Sequence, residues 1–74
     1  MDEERIKAKL DEGCLIIINV GPGDFTDSGH FITIIGYDRD GFIINDSNSR
    51  TNSKKRWSYE QLSRQMRNLW AMYN

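Results

Sequence analysis

The chain holds one histidine, His30, and it stands at the mouth of an apolar run. An imidazole is the side chain best suited to moving protons near neutral pH. A carboxylate within hydrogen-bond reach would fix its tautomer and its orientation. Asp46, sixteen positions further on, is the carboxylate that this sequence can bring to it. Between them lie Phe31-Ile-Thr-Ile-Ile-Gly-Tyr37, the segment Asp38-Arg-Asp-Gly41, and Phe42-Ile-Ile-Asn45. Two β-branched and aromatic runs joined through Asp-Gly read as a hairpin. In that hairpin Tyr37 lies near Phe42 and Phe31 near Ser47 or Asp46, so His30 and Asp46 become near neighbours at the open end. The aspartate would accept the Nδ1–H and leave Nε2 free as a base. Each residue also has a plainer role: a hydrogen-bonded or solvated histidine at a strand start, and a turn or cap aspartate in Asp46-Ser-Asn48. Gly29 beside His30, and the glycine-rich loop before it, favour the site.

Other reactive groups carry less. Cys14 opens the most apolar stretch of the chain, whereas a nucleophilic thiol wants partial exposure at a helix start, so it is expected to be inert. Asp24 and Asp27 flank Phe25 without the spacing of a hard-cation loop and are expected to be solvated. No metal or other cofactor is expected. Lys54, Lys55 and Arg56 form a basic triplet without interleaved aromatics, and the net charge is −1, so nucleic acid is not an expected partner. Trp57, Trp70 and Tyr73 read as core or half-buried packing residues.

The elements that must position this pair follow from pattern. Residues 2 to about 12 predict a helix, with Ile6 and Leu10 on one face, acidic residues in the first turn and Gly13 to stop it. Cys14-Leu-Ile-Ile-Ile-Asn-Val20 predicts a strand covered on both faces. Gly21 to Gly29 is a loop. Asp46 to Lys55 predicts an exposed connection. Ser58-Tyr-Glu-Gln61 matches a capping box and predicts a helix from Tyr59 to about Arg67 that buries Leu62 and Met66. Asn68 to Tyr73 predicts a last strand. The fold class is α+β: a small, mostly antiparallel sheet of three to four strands with a helix near each end.

Residues 1–74 fit one small domain. A chain of this length buries only about 60% of its unfolded surface, and a single cysteine offers no internal disulfide. At 38% hydrophobic and 28% charged residues it is expected to fold. The longest apolar run is too short to span a bilayer, and the N-terminus lacks a signal-peptide pattern, so the chain as written is expected to be soluble and intracellular. The compartment of a parent protein, whether cytoplasm, cell envelope or exterior, is left open.

Several motifs in order complete the sequence picture: Gly21-Pro-Gly-Asp-Phe-Thr26, Ser28-Gly-His-Phe-Ile32, Gly36-Tyr-Asp38, Gly41, Asn45-Asp-Ser-Asn-Ser49 and Asn68-Leu-Trp-Ala71. Together they resemble the C-terminal half of bacterial papain-like cysteine peptidases, in the group related to bacteriocin-leader-processing peptidases. The resemblance runs from the first helix to Tyr73. It implies the β-rich half of a papain-like fold, His30 as catalytic base and Asp46 as its orienting partner. It further implies that the loop from Gly21 to Ser28 borders the cleft. Ser47 departs from the pattern, standing where a proline often follows the aspartate. The family's nucleophilic cysteine and oxyanion-stabilising glutamine belong to a helical half with no counterpart here, and Cys14 matches only the start of a strand.

Two readings follow. In the first, residues 1–74 are the C-terminal portion of a cysteine peptidase domain that acts on a peptide or protein substrate. The N-terminal helical half supplies the thiol, and this chain alone is inactive. In the second, the chain is a non-catalytic peptide- or protein-binding module, a degenerate relative of the peptidase. A half-domain leaves apolar surface uncovered, so a homodimer through that surface is an expected partner state in either reading.

Overall fold

A computed structural model describes residues 2–73. Helix α1 (Glu3–Asp11) starts where the Asp2 carboxylate accepts the Arg5 N–H at 2.9 Å. Glu3 and Glu4 sit favourably in its first turn. It ends at Gly13, whose φ of +93° is open to glycine at little cost. Ile6 is its buried anchor.

Five antiparallel strands follow: β1 (Cys14–Val20), β2 (His30–Asp38), β3 (Gly41–Asn45), β4 (Arg56–Trp57) and β5 (Met66–Tyr73). Their order across the sheet is β4-β3-β2-β1-β5. Two short helices, α2 (Arg50–Lys54) and α3 (Tyr59–Ser63), lie between the later strands. The α+β class is as the patterns predict, with five strands rather than three or four. β4 has only two residues, too short for any periodic signal.

One face of the sheet is the core. Ile16, Ile18, Val20, Ile32, Ile34, Phe42, Ile44 and Trp57 line it, and Ile6, Phe25 and Leu62 cover it from α1, the 21–29 loop and α3. Burial along β1 alternates: Cys14, Ile16, Ile18 and Val20 are buried, while Leu15, Ile17 and Asn19 between them are only half-buried. The expectation of cover on both faces is therefore corrected. A continuous apolar run marks two apolar faces, and within residues 2–73 only one of them is packed. Phe31, Ile35, Trp70 and Met72 are exposed, and the Phe31 and Trp70 rings stack 6.0 Å apart. Trp70 and Tyr73, expected to be packed, are 45% and 67% exposed.

The last helix is shorter than its pattern suggests. The capping box forms, with Ser58 Oγ accepting from Gln61 N–H and Gln61 Oε1 accepting from Ser58 N–H. Leu62 is buried, but α3 stops at Ser63, and Met66 begins β5 opposite Val20. The free edge of β1 offers a full ladder of backbone partners, which outweighs another turn of isolated helix. α2 also lacks an apolar stripe. It forms because Ser49 caps it, accepting the Asn52 N–H at 3.0 Å.

The hairpin between β2 and β3 turns at Asp38–Gly41, where Asp38 Oδ1 accepts the Asp40 N–H at 2.9 Å. Gly41 has φ +137°, and a Cβ there would lie 2.7 Å from the Trp57 carbonyl oxygen. Gly13 also has a positive φ, +93°, but open space around it. Gly13→Ala is therefore expected to cost only the left-handed backbone penalty, about 1–2 kcal/mol. Gly41→Ala should cost clearly more, since backbone must move. Urea unfolding of the two variants beside the parent chain measures the difference, and equal losses would contradict the close approach.

Candidate active site

His30 begins β2 opposite Val20, and Asp46 follows β3 directly. The structure brings the two together: His30 Nε2 lies 2.9 Å from Asp46 Oδ1. The Asp46 side chain has no exposed surface and the imidazole is 16% exposed.

The ring nitrogen involved differs from expectation. Nε2, not Nδ1, meets the carboxylate. The pairing shifts by one residue between Ile34 and Gly36, leaving Ile35 out of the ladder, and the last pair is Thr33 with Asn45. Asp46 therefore lies beyond that pair, toward Ile32 rather than directly across from His30. Nδ1 is left toward the surface, 3.4 Å from the Asn48 amide nitrogen. With Nε2–H donating to Asp46, Nδ1 carries the lone pair and is the nitrogen able to take a proton.

Asp46 is held from several sides. Oδ1 also accepts the Asn48 N–H at 2.9 Å, and Oδ2 accepts from Asn52 Nδ2 at 3.4 Å. The turn role and the imidazole contact foreseen as alternatives coexist on this one carboxylate. The Asp46 backbone N–H donates to Ser53 Oγ at 2.8 Å, and that hydroxyl donates back to the Asp46 and Ser49 carbonyls. The segment after Asp46 is exposed over much of its length, as expected, and is folded into a compact polar knot around α2. Burial pushes the Asp46 carboxyl up. The Asn48 N–H, the His30 and Asn52 hydrogen bonds and the nearby imidazole charge outweigh it and hold the carboxyl below its usual range.

Trp57 ties this knot to the fold. Its indole N–H donates to the Asn52 carbonyl at 2.9 Å, and its ring packs on Phe25 at 4.6 Å between centroids. Phe25 anchors the 21–29 loop beside the site, and Asn52 Nδ2 reaches the Asp24 carbonyl at 3.5 Å. Asp24 is exposed yet not merely solvated. Its N–H donates to Gln65 Oε1 at 2.8 Å, and its carboxylate accepts from Gln65 Nε2 at 3.0 Å. Asn52 and Gln65 carried no signal in the sequence, because amides that reach across loops follow no periodicity.

Cys14 lies elsewhere. It is 3% exposed and opens β1, whose other end, Val20, is the residue paired with His30. Six residue steps along a strand separate them by about 20 Å. Two residues of the basic triplet are used structurally: Lys55 Nζ stands 4.2 Å over the Trp57 ring, and Arg56 Nε pairs with Asp38 Oδ2 at 2.9 Å. Among the described residues, no helix is long and apolar enough to cross a membrane.

An antiparallel sheet flanked by helices thus presents an imidazole against a buried carboxylate. A family model described as "Peptidase_C39 like family" matches residues 1–74, and the chain belongs to that family. It is thereby related to cysteine peptidases. Comparison with curated proteins and with solved structures finds no match.

Because the Asp46 carboxyl is lowered in the folded state, its contribution to stability is present above the ordinary carboxylate value of about 4 and is lost as pH falls through the folded value. Carbon-detected NMR should find Asp46 titrating below the ordinary aspartate value of about 4, with His30→Ala moving it upward. Asp46→Asn should flatten the acid limb of the stability profile. An Asp46 that titrates at the ordinary aspartate value, or ignores His30→Ala, would contradict this.

Proposed function

We propose that residues 1–74 form the β-rich part of a papain-like cysteine peptidase, supplying its base and the base's orienting partner. The observation that carries this is the buried Asp46 carboxylate on His30 Nε2, which leaves Nδ1 with a lone pair near the surface. The thiol comes from a helical segment outside residues 1–74. The thiol proton passes to His30 Nδ1, and the thiolate sulfur bonds to the carbonyl carbon of the scissile peptide. The tetrahedral intermediate collapses with loss of the amine, to which the imidazolium gives its proton. Water, deprotonated by the same nitrogen, then cleaves the thioester and frees the thiol. Asp46 holds the ring in place and favours the imidazolium at each step. The loop from Gly21 to Ser28 borders the cleft.

A second reading, a peptide- or protein-binding module, is favoured by one observation: the open sheet face bearing Phe31, Ile35, Trp70 and Met72. In that reading the face takes a partner or a second copy of the chain, and His30 does no chemistry.

Activity separates the two. The chain alone is expected to turn over no peptide, and Cys14→Ala is expected to change nothing. A longer polypeptide in which a helix-initial cysteine precedes this chain is expected to be active. There His30→Ala should lower kcat by about 10²–10⁴-fold, the usual share of a positioned acid–base group. Turnover by residues 1–74 that Cys14→Ala abolishes would overturn the assignment of the thiol. Full activity in His30→Ala would overturn the peptidase reading.

A further inference from the structure

A second functional group stands beside His30 that the proposed triad does not use. On β5, Asn68 pairs with Asn19 and Met66 pairs with Val20, so Arg67 is the residue left over in a β-bulge. Bulges of this kind re-aim a side chain and are common next to active sites. Val20 is flanked by Met66 on one side and by His30 on the other. The bulge therefore sits one strand away from the imidazole.

The Arg67 guanidinium lies against two glycines that bracket the 21–29 loop. A Cβ built on Gly21 would lie 2.6 Å from Arg67 Nε and 2.9 Å from Cζ, and one on Gly29 would lie 3.8 Å from Nη1. Any larger residue at Gly21 would displace the guanidinium. Neither glycine has a φ that demands glycine, so the missing side chain at Gly21 serves the close approach of the arginine. Among the described residues, no carboxylate forms an ion pair with Arg67. Arg56, by contrast, is paired with Asp38. Arg67 is thus a planar, permanently charged fork, resting on backbone, exposed, and unpaired with any carboxylate of the described residues.

From this juxtaposition we infer that Arg67 is a substrate-binding residue that takes a carboxylate lying just beyond the scissile bond on the leaving-group side. The inference rests on the proposed role of His30. An imidazole that protonates the leaving amine must stand on the amine's side of the bond. Gly29, next to His30, then lies alongside the residues after the cut. One residue of extended peptide spans about 3.3–3.6 Å, so the first or second residue past the cut comes within reach of a guanidinium resting on Gly29. A carboxylate there would be held by two parallel N–H···O bonds, and the seating of the guanidinium on glycine leaves little freedom to lose on binding. That carboxylate is either an acidic side chain or the free C-terminus of a short peptide.

Three acetylated tetrapeptides test this against the isotope-labelled chain by NMR: one alanine-only and amidated, one amidated with an internal glutamate, and one alanine-only with a free C-terminus. The Gly21 and Gly29 amides and the Arg67 Nε–H are followed. The expected result is that a carboxylate-bearing peptide shifts these signals while the neutral peptide does not, and whichever carboxylate acts identifies its source. Arg67→Gln is expected to weaken that binding about tenfold, as loss of a charge-assisted pair does. Gly21→Ala, which keeps the guanidinium but displaces it, is expected to weaken binding too. Equal shifts with the neutral peptide, no shifts with any peptide, or unchanged binding by Arg67→Gln would overturn the inference. Each of those results leaves the His30–Asp46 proposal standing, because that pair is read from the ring nitrogens and from turnover.

Discussion

Three donors converge on the Asp46 carboxylate, and the rest of the site depends on that convergence. A buried carboxylate is costly unless hydrogen bonds replace its water. Here the Asn48 N–H, the Asn52 amide and the His30 ring supply them. Each donor comes from a different local device: an Asx-type turn, the first turn of a Ser-capped helix, and a strand start on the neighbouring strand. The carboxylate orients the imidazole, and the turn and helix orient the carboxylate. The hydroxyl of Ser53 closes the knot by serving both the N–H and the C=O of Asp46.

Trp57 makes this local order part of the global fold. It is 1% exposed, packs on Phe25 of the loop and donates its indole N–H to Asn52, the residue that in turn reaches Asp46 and Asp24. The loop beside His30 is clamped a second time by Gln65 at the entry to β5. A site on loops is thus held by anchors in the core. The opposite sheet face is built differently. Its apolar side chains have no cover within residues 2–73, and this is what carries the readings in which another segment or chain packs there.

Much of this was legible in the sequence, for identifiable reasons. β1 to β3 follow strong local signals: β-branched runs, a glycine-rich loop, and Asp-Gly at the hairpin. The proximity of His30 and Asp46 follows from the hairpin alone. What was not legible depends on small register changes and on long-range partners. The slip at Ile35 sets Asp46 toward Ile32, and Nε2 rather than Nδ1 faces it. The helix pattern through Arg67 yields at Ser63 because the β1 edge competes for Met66. The three isoleucines of β1 could not reveal that one of their two faces lacks cover. Asn52 and Gln65 become visible only once the loops are folded against each other.

The central claim is that Asp46 holds His30 with Nε2 protonated and Nδ1 bare. Long-range proton–nitrogen correlation on the labelled chain, at a pH where the ring is neutral, reads this directly. The account predicts a proton on Nε2 and a lone pair on Nδ1, with that preference lost in Asp46→Ala. A ring protonated at Nδ1, or a mixture of tautomers that Asp46→Ala leaves unchanged, would contradict it.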